Sequence, residues 1–572
     1  MRFSLLVRIG LACALAGNAV SATEQAKVEA PRPSIPFVDV AREAGVGFVH
    51  RSGAAGEKLL PETMGGGVAL FDYDGDRDAD LLFVQSDGGP IASLYRNETK
   101  PGGAIRFVDA TLATALDEVE VRGYGMGVAV GDVDGDGDPD VFLTGLGGDR
   151  LLRNERGRRF VDVTAESGTG GSPGAWSTGA AFFDADIDGD LDLLVVRYVK
   201  WSRKIETALA YRLDGIGRAY GPPQEYEGTL PMLYLNRGDG SFEDASSGSG
   251  LEVFDAAGLP AAKALAVRPI DADRDGRPDV LVANDTVRNF FFRNLGPGEN
   301  AAVRFEEVGE FYGLAYDHDG NATGAMGVDA GYYRNDENLG FVIGNYADET
   351  SSIFRAQGDP EFFVDEAMKE GLGPPTRASL TFGAFFFDAD LDGRLDVLHA
   401  NGHVEPDIAK IDKTQQYRQP GQLFWNTGAR FVALEDASVG DLSQKVPGRG
   451  AAYADLDRDG DLDVVITQID GTPLVLRNDQ KLGHHWLRLR LEPTRLALGA
   501  RVELTAGGEI QRRDVMPTRS YLSQLEPVVT FGLGGAEKVE SLRVVWPDGV
   551  KQVVKVGGVD QEQLVTHPEI EP

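Results

Sequence analysis

Asp132 to Asp140 reads DVDGDGDPD and runs without a break into VFLT at Val141 to Thr144. Carboxylates stand at positions one, three, five and nine, a glycine at six, and a β-rich segment follows at once. Side-chain oxygens at that spacing, with the main-chain carbonyl of position seven, suit a hard cation with six to eight ligands. The glycine supplies a left-handed turn. The stretch therefore predicts a strand, a tight cation loop and a second strand.

Working outward, the same unit recurs five more times. It places Asp72, Asp74, Asp76 and Asp80 in DYDGDRDAD, Asp184, Asp186, Asp188 and Asp192 in DADIDGDLD, and Asp271, Asp273, Asp275 and Asp279 in DADRDGRPD. It also places Asp388, Asp390, Asp392 and Asp396 in DADLDGRLD, and Asp455, Asp457, Asp459 and Asp463 in DLDRDGDLD. With Asp132, Asp134, Asp136 and Asp140, these are the expected ligands of about six Ca2+ ions. Magnesium demands a smaller octahedron with more water, and no loop holds the His or Cys that a softer metal would want. Arg77 replaces the glycine of position six in the first loop, which makes that site the least secure. A seventh copy near Asp329 carries Tyr332, Arg334 and Gly340 at positions one, three and nine, and predicts a unit that folds without metal.

Two further marks accompany the loops. A third strand ends in a turn at LYRN, LLRN, LYLN, FFRN, IFRA, LFWN and VLRN, starting at Leu94, Leu151, Leu233, Phe291, Ile353, Leu423 and Val475. A fourth strand reads FVDA at Phe107, FVDV at Phe160, FEDA at Phe242, FEEV at Phe305 and FFVD at Phe362. Four short strands per repeat, unable to bury both faces alone, predict an all-β seven-bladed β-propeller. No fourth strand follows Asn478, whereas an orphan copy, Phe37 to Val40, precedes the first loop. The N-terminal strand should close the last blade and remove two open sheet edges. From Lys481 the aspartate loops stop and alternation in WLRLRLEP, ARVELTA and SLRVVWPDGV predicts a small β-sandwich-like or barrel-like module.

The expected organisation is a signal peptide over 1–22, a linker over 23–36, the propeller over 37–480, the β module over 481–566 and a tail over 567–572. Arg2 and Arg8 precede a short apolar run and Val20-Ser21-Ala22, the pattern of an export signal. Cys13, the only cysteine, lies within it, so the exported chain would carry no disulfide; a lipid anchor there is the minor alternative. No later stretch is long and apolar enough to span a bilayer. The net charge of −34 argues against nucleic acid, whose binding needs clustered cations.

These loops resemble the FG-GAP repeats of integrin α-subunit propellers, and the wider pattern resembles the cartilage acidic protein family, including its bacterial members. LPETMGGGVALFDYDGD at Leu60, YGPP at Tyr220, VANDTVRNFFFRN at Val282 and NGHVEPD at Asn401 are similar to that family's landmarks. LGARVEL at Leu498, RSYLSQ at Arg519, FGLG at Phe531 and VVWPDG at Val544 resemble its ASPIC and UnbV domain. Tyr220-Gly221 stands where many relatives carry a cysteine, which suits a prokaryotic export route.

Beyond the loops, Glu62, Asp285 and His403 lie at strand entrances or exits, and a propeller funnel is where such groups converge, so they mark a candidate axial pocket. His399 pairs with His403 in HANGHV, with a structural turn as the bland reading. No Ser-His-Asp order, HExxH or P-loop stands out. Arg237-Gly238-Asp239 reads as a turn, and the insert from Tyr198 to Leu230 as a partner contact or as a cover for one mouth. The expected function is a secreted recognition, adhesion or scaffold module for a protein or glycan ligand, with no catalytic residue assigned and catalysis the less favoured reading. The alternatives are a calcium-dependent carbohydrate lyase or hydrolase with its site in the funnel, and an accessory protein of a natural-product pathway. The sequence does not set the oligomeric state.

Overall fold

The computed structural model describes residues 31–119, 123–298, 303–358 and 362–570. The expected signal peptide and Cys13 lie outside the described residues. The described residues from Pro33 onward form one compact unit.

Among the described residues, seven antiparallel four-strand units follow in chain order, six as separate sheets and the first within a six-stranded sheet. Blade 1 holds Val68–Phe71, Asp80–Val84, Ala92–Asn97 and Phe107–Asp109; the first strands of blades 2 to 6 are Tyr124–Gly131, Ser177–Phe183, Ala264–Ile270, Val328–Gly331 and Thr381–Phe387. Blade 7 takes Gly448–Ala454, Asp463–Gln468 and Leu474–Asn478 from one end of the chain and Phe37–Asp39 from the other. Phe37 pairs with Asn478 and Asp39 with Leu476, so the expected closure forms in the expected register. Ile35, read from sequence as linker, is already buried, and its N–H donates to the Ser438 carbonyl at 2.8 Å. Each first strand packs on the next, and the first strand of blade 7 on that of blade 1, which closes the ring. Between neighbouring blades lie separate apolar cores, such as Phe71, Leu82, Leu94, Val130 and Val141 between blades 1 and 2.

The asparagine ending the third strand, read from sequence as part of a turn, joins the blades. Asn154 Nδ2 in blade 2 donates to the carbonyl of Tyr73, position two of blade 1's loop, at 2.8 Å. Asn236, Asn294, Asn426, Asn478 and Asn97 make the same bond to Val133, Ala185, Tyr333, Ala389 and Leu456, each in the preceding blade's loop. Blade 5 carries Ala356 at this position, so the joint between blades 4 and 5 lacks the bond.

Residues after Lys481 form a three-stranded sheet of Val528–Gly534, His485–Glu492 and Gln561–Thr566, and a four-stranded sheet of Glu509–Asp514, Arg501–Ala506, Val539–Val545 and Lys551–Val553. From sequence this module reads as an appendage, yet it is integral to the propeller. Its hairpin, Thr518–Arg519 and Ser523–Gln524, extends blade 1 through parallel pairing of Val68 with Ser523. The hairpin touches the first strands of blades 1, 2, 3, 4, 5 and 7, and so fills the ring's channel. Tyr521 and Leu522 at its tip are buried with Leu60, Met64, Met126, Trp176, Tyr198 and Phe382. Glycine makes the passage possible. A Cβ on Gly67 would meet the Leu522 carbonyl at 2.9 Å, and one on Gly450 would meet Ser523 Oγ at 3.0 Å.

Candidate metal centres

Every loop hangs between the first and second strands of its blade, so all of them emerge on one face of the ring. The local fold is set by carboxylates accepting from their own loop. Asp132 Oδ2 accepts from Gly137 N–H at 3.1 Å and Asp136 Oδ1 from Asp138 N–H at 3.0 Å. Asp140, at position nine, accepts from Val133 N–H at 3.0 Å with one oxygen and from Asn154 N–H at 2.8 Å with the other. The same asparagine thus secures the ninth aspartate through its main chain and the previous loop through its side chain.

These bonds draw the carboxylates together. Oxygens of Asp72, Asp74 and Asp80 lie within 4.8 Å of one another, as do those of Asp132, Asp134 and Asp136, of Asp184, Asp186 and Asp192, of Asp271, Asp273 and Asp275, and of Asp388, Asp390 and Asp396. In the blade 7 loop, burial and the neighbouring Asp459 and Asp455 carboxylates push Asp457 up to about 7. Burial pushes Asp80, Asp140 and Asp192 up to about 8, with adjacent loop carboxylates adding to the effect. Each of the six loops also holds a buried carboxylate oxygen without a hydrogen-bond partner among the described residues: Oδ1 of Asp74, Asp132, Asp186, Asp271, Asp388 and Asp457. A buried unpaired carboxylate oxygen is costly unless a cation meets it. The donor set is all hard oxygen, so these clusters could hold a divalent metal ion.

Loop 1 keeps this geometry. Arg77 takes φ +70°, the left-handed turn that glycine supplies at position six elsewhere, and its N–H donates to Asp72 at 2.8 Å. The blade 5 loop has no such cluster in its sequence. Arg334 replaces the third-position aspartate and donates to the carbonyls of Gly428 and Ala429, each at 2.6 Å, tying its loop to a turn of blade 6.

The C-terminal module caps the loop face. Gly534 N–H donates to the Leu391 carbonyl at 2.9 Å, Arg495 to the Gly189 carbonyl at 2.7 Å and Arg490 to the Arg77 carbonyl at 3.3 Å. Arg488 stands 3.6 Å from Asp455. A cleft of about 650 Å3 is left beside the module, lined in part by Asp72, Arg77, Asp132 and Arg490.

The expectation of a funnel pocket is corrected by the hairpin, which fills the channel with Tyr521 and Leu522. Glu62, Asp285 and His403 lie at the mouth opposite the loops, each with its own partner. Glu62 accepts from Tyr220 OH at 3.4 Å, and Asp285 accepts from Tyr198 OH at 2.5 Å. His403 Nδ1 accepts the Glu405 N–H at 3.0 Å, and burial lowers the ring to about 4, so it is neutral at pH 7. His399 is fully buried against Phe424 with both ring nitrogens unpartnered among the described residues, which fits a packing residue. The insert covers this mouth: Glu206, fully buried, accepts from Tyr226 OH at 2.6 Å and Trp201 Nε1 at 2.8 Å. Arg237-Gly238-Asp239 is a turn in which Asp239 caps Ser241 N–H at 3.0 Å.

A model of the ASPIC and UnbV family matches residues 491–572, and a model of the FG-GAP-like repeat matches 72–143 and 132–195. Cartilage acidic protein 1 of Xenopus tropicalis is 26% identical over 330 residues, covering 54% of this chain and 46% of that protein. The Homo sapiens protein is 25% identical over 345 residues, covering 58% and 48%. The chain thus spans about half the length of the curated relatives it matches. Two solved structures are loosely similar. A lectin of Agrocybe aegerita that recognises non-reducing terminal N-acetylglucosamine has a TM-score of 0.38 at 14% identity, over 72% of this chain and 87% of the lectin. BBS1N, solved in complex with ARL6DN, has a TM-score of 0.39 at 9% identity, over 72% of this chain and 92% of that one. Among the described residues no helix is long and apolar enough to cross a membrane.

Proposed function

We propose, on the premise that the chain belongs to the cartilage acidic protein family of FG-GAP-like repeats joined to an ASPIC and UnbV domain, that it is an exported, calcium-loaded recognition or scaffold module. The observation that carries the calcium reading is the in-phase set of six loops, each with clustered aspartates and one buried oxygen left without a partner. Calcium suits them better than magnesium because a flexible ring of carboxylates with a main-chain carbonyl matches its larger, irregular shell. About six ions would load the ring, held by the aspartates at positions one, three, five and nine of each loop. Domain limits of 37–480 and 481–566 go with this reading, as does a protein or glycan ligand outside the channel.

The filled channel and the structural surroundings of His399 weigh against the funnel enzyme. Melting in millimolar calcium and in chelator tests the proposal, with native mass spectrometry counting the ions. A melt that does not move in protein shown to be metal-free would remove its basis.

A further inference from the structure

At the mouth opposite the metal loops the chain places one of its own side-chain ammonium groups in a site shaped to recognise one. Lys58 Nζ lies 2.6 Å from Glu405 Oε1 and 4.8 Å from the centre of the Tyr220 ring. The Glu405 side chain is only 5% exposed, and its other oxygen, Oε2, is buried with no hydrogen-bond partner among the described residues. Each part of the site is oriented by a separate element. Tyr220, on the insert, donates to Glu62 at 3.4 Å, which aligns its ring. The Glu405 main chain is fixed by its N–H bond to His403 Nδ1 at 3.0 Å, and its carboxylate by the Asp407 N–H at 3.1 Å.

A carboxylate with a spare oxygen, set beside an aromatic face, is the arrangement that binds alkylammonium ions through charge-assisted hydrogen bonds and cation–π attraction. Lys58 reaches it at a conformational penalty, because its backbone takes φ +56°, a left-handed value unfavourable for a side chain of this kind. It comes at the end of Arg51-Ser52-Gly53-Ala54-Ala55-Gly56-Glu57, a run of mostly small residues without regular strand or helix. A simple surface ion pair needs neither a buried carboxylate nor a strained lysine.

We propose that Glu405 and Tyr220 form a binding site for the alkylammonium group of a ligand, and that Lys58 is an internal occupant that the ligand displaces. This rests on the reading of the chain as a recognition module, but not on calcium. As a tethered competitor at an effective concentration on the order of millimolar, Lys58 masks the site from weak amines.

The test is calorimetric titration of the full chain in calcium with n-butylammonium, with butan-1-ol as the neutral control. The wild type should bind the amine weakly, Lys58→Ala about ten-fold more tightly, and Lys58→Ala combined with Glu405→Gln not at all; butan-1-ol should bind none of them. Lys58→Met, which keeps the apolar stem without the charge, serves with methylammonium if Lys58→Ala does not fold. No amine binding by a folded Lys58 variant, or binding that survives Glu405→Gln, overturns the proposal. Melting of the same samples in calcium and in chelator reports separately on the calcium reading, so either can fail alone.

Discussion

Asn154 donates from its side chain to the Tyr73 carbonyl, 2.8 Å away and 81 residues earlier in the chain, and from its main chain to Asp140 at 2.8 Å. One residue therefore couples the metal loop of its own blade to that of the blade before. Asn154→Ala leaves the buried Tyr73 carbonyl and the half-buried Pro139 carbonyl without this donor, and should destabilise the protein by about 2 kcal/mol. Equilibrium unfolding in denaturant checks the figure; a change within about 0.5 kcal/mol would mean that the bond carries no net stability.

The joint between blades 4 and 5 lacks this bond at Ala356 and should be the weaker one, although Arg274 bonds Glu337 across it. Native-state hydrogen exchange should show strand amides flanking this joint opening at lower free energy than those between blades 1 and 2. Uniform protection around the ring would contradict this.

Calcium should raise the melting temperature substantially. If each loop binds at about 10⁻⁴ to 10⁻³ M, millimolar calcium adds roughly 0.4 to 1.4 kcal/mol per site by linkage. Asp132→Ala should remove one ion from the native mass spectrum and lower the melt more in calcium than in chelator, where only its bond to the Gly137 N–H is lost.

The metal-free protein should lose stability as pH rises. Asp80, Asp140 and Asp192 stand near 8 in the fold against an ordinary 3.8, because burial disfavours their charge. The folded state therefore holds protons that the unfolded state gives up. This contribution is complete below about pH 4 and is lost as pH climbs through about 8. In chelator, melting temperature should fall between pH 5 and pH 8. Saturating calcium should flatten that slope, and calcium addition at pH 6 should release protons detectable in weakly buffered solution. A flat profile in chelator would place the carboxylates in solvent rather than in the fold.

The hairpin that fills the channel should be indispensable to the ring. Leu522 is 3% exposed, and Leu522→Asp would set an unpaired charge among Met126, Trp176 and Phe382. Loss of cooperative unfolding, or a drop of several kcal/mol, is expected. Tyr521→Ala should cost about 3 to 5 kcal/mol by leaving a cavity. Near-native melts for both would indicate that the ring stands without its plug.

The propeller was legible because its signals are local. A carboxylate loop between two strands is read within a dozen residues, and the orphan copy at Phe37 to Val40 is recognisable by its likeness to the other fourth strands. The staple was partly visible, since Asn97, Asn154, Asn236, Asn294, Asn426 and Asn478 end six of the seven third strands, but its acceptor lies a whole blade away. The plug was hidden for a different reason. Arg519 to Gln524 marks the C-terminal domain in sequence but carries no sign of where it lies, and the close approach of Gly67 and Gly450 to it is a tertiary contact that no local pattern encodes. Glu62, Asp285 and His403 do not converge as their strand-end positions suggest, because the hairpin occupies the channel, and the Lys58–Glu405 pair has no sequence signal, because an ion pair spanning 347 residues leaves no periodic trace.

The latch at Phe37–Asp39 also fixes a timetable. Asp39 accepts from the Val475 N–H, 436 residues later, so the ring cannot shut until nearly all of the propeller has been made. The loop-closure entropy of so long a span grows only logarithmically, but the search is slow and follows many local events. Until then the outer edge of Leu474–Asn478 is an unpaired strand open to other chains. Deleting the chain through Asp39 should therefore appear first as lost yield and aggregation during refolding, before any change in the few molecules that complete the ring.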